Sequence, residues 1–150
     1  MARRLPETAI CLANPDESLG RLAPQNVADA LQAAVDIVLV IDRKGVIEDL
    51  AFGALHPIPA AHHAWLGQHW VDTVTEESRR KVERLLQDAY EGGAPVAREI
   101  NQIAEGAPEL PVRYTAVSLG KGGRVLAMGH DLRAVARLQQ QIINAQISME

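Results

Sequence analysis

Five apolar residues bracketed by acids, Ile37-Val38-Leu39-Val40-Ile41 between Asp36 and Asp42, most constrain what this chain can become. The run falls far short of the roughly 20 residues that cross a membrane, and no longer apolar stretch is present. It is rich in β-branched residues, which suit a pleated, buried surface, so it reads as a strand covered on both faces. Arg43-Lys44-Gly45 then forms a short turn, and Val46 to Leu50 returns as a second strand, making a hairpin.

The flanking segments give the rest of an order. Residues 1–21 hold no period and contain Pro6, Pro15 and Gly20, as expected of an irregular arm. Pro24 suits the first turn of a helix whose face is Val27, Ala30, Leu31 and Ala34. After the hairpin, Gly53, Pro57 and Pro59 break residues 51–63 into short turns, and Trp65 to Trp70 forms an aromatic patch expected to pack on the sheet as a helical turn. Thr75 opens a longer helix. Glu76 and Glu77 lie at its positive end, with i,i+4 partners in Arg80 and Lys81. Val82, Leu85, Leu86 and Ala89 form its apolar face, and Gly92-Gly93 ends it. Three strands follow, in Val96–Ile103, Leu110–Leu119 and Arg124–Gly129, the last two joined by a hairpin turn at Gly120-Lys121-Gly122-Gly123.

The chain closes on DLRAVARLQQQIINAQISME, residues 131–150. Asp131 can cap a helix N-terminus, and neither Gly nor Pro follows it. Val135, Leu138, Ile142, Ala145 and Met149 recur at steps of three and four, the a/d spacing of a coiled coil, and Ile143 and Ile147 widen the stripe. Gln139, Gln140, Gln141, Asn144 and Gln146 are uncharged, which is unusual for a purely solvated helix. A helix still presenting isoleucines at its end calls for a partner helix or more chain, with a partner helix the reading adopted; the alternative is that it folds back on its own domain. Arg133 and Arg137 stand near the start, where they oppose the helix dipole, and are expected to find acids.

Strands at both ends of the domain with helices between them predict an α+β fold, one antiparallel five-stranded sheet with helices on one face. This is the element order of a PAS domain, followed by a coiled-coil-type helix. The expected division is an arm at 1–21, a PAS-like domain at 22–130 and a linker or dimerisation helix at 131–150.

The net charge of -4 argues against nucleic-acid binding by these residues, since phosphate neutralisation needs a clustered basic surface. A single cysteine, Cys11, makes the cytoplasm the default setting. Aromatic residues are only 3%, low for a domain that stacks a flavin. The five histidines, His56, His62, His63, His69 and His130, have no carboxylate or thiol at ligand spacing, so they are expected on the surface or in loops rather than on a metal. The connecting helix at residues 75–90 contains no histidine to hold a haem. No hydrolase, zinc-protease or phosphate-loop pattern occurs. Trp65 and Trp70 could stack a ligand, but core packing is the expected use. No cofactor, no metal and no catalytic residue is therefore expected.

Glu99-Ile100-Asn101-Gln102-Ile103, Leu110-Pro111-Val112-Arg113-Tyr114, Gly129-His130-Asp131-Leu132-Arg133 and the glutamine-rich stretch from Leu138 to Glu150 resemble the PpsR/CrtJ family of photosynthesis-gene repressors. The resemblance extends from about Leu22 onward and is most specific from Leu110 to Glu150. It implies the family's N-terminal PAS-like domain and its glutamine-rich linker, without the two further PAS domains and the DNA-binding helix-turn-helix. The chain departs from the family pattern at His130, where an arginine is expected, and the family's redox-active cysteine does not map onto Cys11. The resemblance implies a non-enzymatic regulatory and oligomerising segment, dimerising through the exit helix, bound by an antirepressor or photoreceptor protein and not itself binding DNA. A ligand-binding PAS sensor for haem, flavin or a metabolite is the alternative, and the absorption spectrum of the purified protein separates the two.

Overall fold

The structure, a computed structural model, describes residues 11–53, 58, 60–120 and 122–149. His56, Pro57, Pro59, Lys121 and Glu150 lie outside the described residues, as do the first ten residues of the arm.

Five antiparallel strands form one sheet in the order β2-β1-β5-β4-β3. They are β1 (Ile37–Ile41), β2 (Ile47–Phe52), β3 (Arg98–Gln102), β4 (Leu110–Ser118) and β5 (Val125–Asp131). The acid-bracketed run is central, paired with β2 on one side and β5 on the other. Ile37, Leu39 and Ile41 are fully buried on the core side, while on the other side Val38 is buried and Val40 only half-buried. The register slips between Val40 and Ile41, and Asp42 closes the turn by accepting the N–H groups of Lys44 (2.8 Å) and Val46 (3.0 Å). Gly45 sits at φ +83°, a conformation that glycine adopts without strain.

The core lies between the sheet and a segment running from the 3₁₀ turns at Ala60–Trp65 and Trp70–Thr73 to α3 (Arg79–Tyr90). The aromatic patch is thus two separate turns rather than one, because Val46 pairs with His69 between them. α3 buries the expected Val82, Leu85, Leu86 and Ala89. Its first turn is a 3₁₀ turn at Glu76–Ser78, and Ser78 is turned to other use: its Oγ accepts the Asn101 N–H at 2.9 Å. Thr75 N–H donates to the Asn101 carbonyl (2.9 Å) and Lys81 Nζ to the Glu99 carbonyl (2.9 Å). These bonds cover the open side of β3, an edge strand whose outward backbone groups would otherwise invite pairing with another chain. The expected ion pairs Glu76–Arg80 and Glu77–Lys81 do not form; the ion pairs among the described residues are four others.

Two further corrections concern the ends. The arm carries a short helix, α1 (Pro15–Ser18), capped by the Asn14 side chain. The helix at Pro24, α2 (Pro24–Ala34), forms as expected but buries none of its residues; Val27 remains 42% exposed. It lies beside the side of the sheet away from α3, where it lines a groove of about 450 Å³ with Val38, Val40 and Leu126. Val96, expected in β3, stays outside that strand and exposed. The exit helix, α4, spans Arg133–Met149.

Candidate functional site

The exit helix leaves the sheet from a tied corner. Asp36, between α2 and β1, donates its N–H to the Gly129 carbonyl (2.9 Å), accepts the Gly53 N–H on its carbonyl (2.7 Å) and accepts the Asp131 N–H on its carboxylate (2.8 Å). Asp131 is the last residue of β5, two before α4, yet its Oδ1 accepts the Arg133 N–H at 2.9 Å and so supplies the expected capping acceptor. The Arg133 guanidinium folds back on both oxygens of the same carboxylate, at 2.8 and 2.6 Å to Oδ2 and 3.1 Å to Oδ1. Those bonds hold its pKa above the ordinary arginine value, with burial opposing. Arg133 thereby finds its acid within the domain; Arg137 takes part in no ion pair among the described residues. Leu132 N–H donates to the Pro111 carbonyl (2.9 Å), fixing the first turn to β4.

Beyond that corner α4 runs free of its own domain. None of its residues is buried. Val135, Leu138, Ile142 and Met149 are 51%, 57%, 52% and 88% exposed, Ala145 is exposed, and Ile143 and Ile147 flank them at 49% and 66%. The helix therefore does not fold back over the sheet. Seventeen residues give it a length of about 25 Å. Its polar side chains are partly satisfied along the helix itself: Gln140 donates to Asn144 Oδ1 (3.1 Å) and Ser148 to the Asn144 carbonyl (3.0 Å).

The domain interior holds the second candidate, the pair of indoles. Trp65 and Trp70 are 1% and 0% exposed. Trp65 donates from Nε1 to the Ile103 carbonyl (2.9 Å) and meets His62 edge-on at 4.9 Å. Trp70 meets Tyr114 edge-on at 5.2 Å. The Tyr114 hydroxyl donates to Gln102, Gln102 donates to Thr73 Oγ1 (3.3 Å), and Thr73 donates to the Trp70 carbonyl (2.7 Å). Burial pushes the Tyr114 phenol well above its usual pKa, with the Gln102 bond opposing. Both indoles are thus core, as expected. His62 is a correction: it is buried against Trp65, not a surface or loop histidine. His63, His69 and His130 are exposed. Among the described residues no group of three His, Cys, Asp or Glu side chains is arranged to hold a metal ion, and no helix is long and apolar enough to cross a membrane.

A sheet of this order, with a long helix across one side and an exit helix from its central corner, defines a PAS domain. The family described as "PAS fold" matches residues 31–137, and the chain belongs to it. The chain is also 34% identical over 134 residues to Protein CrtJ of Rhodobacter capsulatus, covering 89% of this chain and 28% of that protein. The PpsR/CrtJ-like character read from about Leu22 onward therefore holds, and the chain spans under a third of that relative's length. A domain of the sensory box sensor histidine kinase/response regulator from Geobacter sulfurreducens superimposes with a TM-score of 0.52 at 20% identity, over 71% of this chain and 93% of that one, and shares the fold.

Proposed function

We propose that this chain is the regulatory and oligomerising segment of a transcriptional repressor, a protein–protein interaction module that dimerises through α4 and carries no enzymatic activity. The observation that carries the reading is the unburied stripe Val135, Leu138, Ile142, Ala145 and Met149 on a helix anchored through Asp131 and Asp36. Isolated helices of this length are marginal in water, so a second copy of α4 is the cover that lets it persist. The likeness to CrtJ supports the regulatory role. The division into an arm at 1–21, a PAS body at 22–130 and a helix at 131–150 belongs to the same reading, as do a cytoplasmic setting and regulation by an antirepressor or photoreceptor protein. The interior filled by Trp70, Tyr114 and Gln102 supports a module that works without a cofactor.

Light scattering on the wild type and on Ile142→Asp tests the proposal. The wild type is expected at dimer mass or above. The variant is expected as a monomer, because a charge cannot enter an apolar seam without a partner. A variant that keeps the wild-type mass would place the contact elsewhere, on the sheet or the arm.

A further inference from the structure

The assembly through α4 leaves the basic side of α3 without a role. Arg80, Lys81, Arg84 and Arg98 line one pocket of about 430 Å³ between α3 and β3, and Glu83 is the one acid among its lining residues. This runs against a net charge of -4 for the whole chain. The cations are also poorly neutralised. Glu76 and Glu77 do not pair with Arg80 and Lys81, and Arg98 reaches Asp88 only at 3.8 Å, while its buried Nε has no acceptor. Lys81 stays beside the pocket through its bond to the Glu99 carbonyl.

Arg80, Arg84 and Gln87 follow one another at i, i+4 and i+7, a row about 10 Å long on one side of the helix. A single phosphate group would engage one turn of such a row. No aromatic ring lines the pocket to hold a nucleobase. Guanidinium groups take carboxylates through paired hydrogen bonds, and a row of them fits several carboxylates in succession. We propose that this pocket docks an acidic segment of a partner protein, with two or more carboxylates taken by Arg80, Arg84 and Arg98. Exposed charge pairs are individually weak, so the contact needs several and is strongly salt-dependent.

A fluorescein-labelled hexaglutamate peptide, followed by anisotropy, tests this on the full chain. Saturable binding is expected at low salt and its loss at about 0.3 M salt. Arg80→Glu with Arg84→Glu is expected to weaken binding at least about tenfold. Arg21→Glu with Lys44→Glu makes the same charge change on exposed residues elsewhere and is expected to leave binding within about twofold. Arg84→Gln, which removes one charge without reversing it, gives an intermediate loss should the double reversal disturb the fold. Binding is expected to persist in Ile142→Asp, which separates this site from the α4 assembly. Absent binding, or equal weakening by both double variants, overturns the proposal. So does displacement by inorganic phosphate at matched charge, or tighter binding of a labelled DNA duplex, which would assign the pocket to a small anion or to nucleic acid.

Discussion

Trp70 and Ile142 are both large apolar side chains, and the protein treats them oppositely. Trp70 is 0% exposed, enclosed by a 3₁₀ turn, the sheet and the Tyr114 ring, while Ile142 is 52% exposed on a helix that touches the domain only near its first turn. The contacts of the first come from residues far away in sequence; the second has no enclosing residues in its own domain. Within one protomer, the buried contacts therefore reside in the PAS body, and α4 adds an exposed surface. The sharpest way to break this contrast is to empty the core. Trp70→Ala is expected to lower stability by about 3–5 kcal/mol, the range for large-to-small changes at buried aromatic sites. Urea denaturation followed by fluorescence of Trp65 measures it, and a nearly unchanged midpoint would mean that the indole is not structural.

The next test concerns a fit inside the sheet. Gly129 on β5 faces Tyr114 on β4, and a Cβ there would lie 2.7 Å from the Tyr114 ring and 2.7 Å from Val112 Cγ1. The glycine makes room for the ring that meets Trp70. Gly129→Ala is expected to cost about 1–3 kcal/mol through overpacking. Gly129→Ala combined with Tyr114→Phe should recover little, because the ring and not the hydroxyl is in the way. Full recovery in that double variant would shift the cause to the Gln102 hydrogen bond.

What could be read in the sequence follows the same divide. The Ile37–Ile41 strand is a continuous local run, and the buried side of α3 and the stripe on α4 are local periodicities; each element stands where its own residues put it. The two indoles were legible as core for their size. The accommodation of Tyr114 by Gly129, the Tyr114–Gln102–Thr73 chain, the burial of His62 and the covering of the β3 edge by Ser78 and Lys81 join residues that no period relates. The same holds at the basic pocket. The i,i+4 spacing favoured Glu76–Arg80 and Glu77–Lys81, but the 3₁₀ opening of α3 changes that turn's geometry and tertiary acceptors claim Lys81. For α4, the residues of the stripe were legible, and its anchoring to Asp36 across the fold was not.

Acid offers a gentler probe of the two regions. The N–H groups of Val46 and Lys44 hold the Asp42 carboxyl below its ordinary pKa. In the unfolded chain the same group titrates near 3.9. A folded-state pKa below the unfolded one means that the contribution is fully present above about pH 4 and is lost as pH falls through the lower, folded value. The β1–β2 hairpin is thus expected to weaken on acidification. Asp42→Asn should flatten the dependence of the urea midpoint on pH below about 4. Residues 133–149 contain no carboxylate, so α4 has no such titration of its own. Equal acid sensitivity in the wild type and Asp42→Asn would assign the effect to other carboxylates.

The smallest expected effect is also the most discriminating, because it asks whether α4 contributes anything to the body. Ile142→Asp removes an apolar side chain from the stripe without opening a cavity, since no part of the domain encloses it. Surface substitutions of this kind change stability by less than about 0.5 kcal/mol. Association complicates the comparison, because a dimer stabilises its folded protomers by mass action. The two proteins are therefore compared across a dilution series. At high concentration the wild type should melt above the variant, and on dilution its midpoint should fall until the two coincide. Far-ultraviolet circular dichroism of the variant should lose up to about 17 residues' worth of helix while the sheet remains, as expected for a helix that is marginal alone. A gap of more than about 1 kcal/mol that survives dilution would mean that Ile142 supports its own domain. The exposed helix would then be part of the fold, and the division between a stable body and an assembling helix would fail.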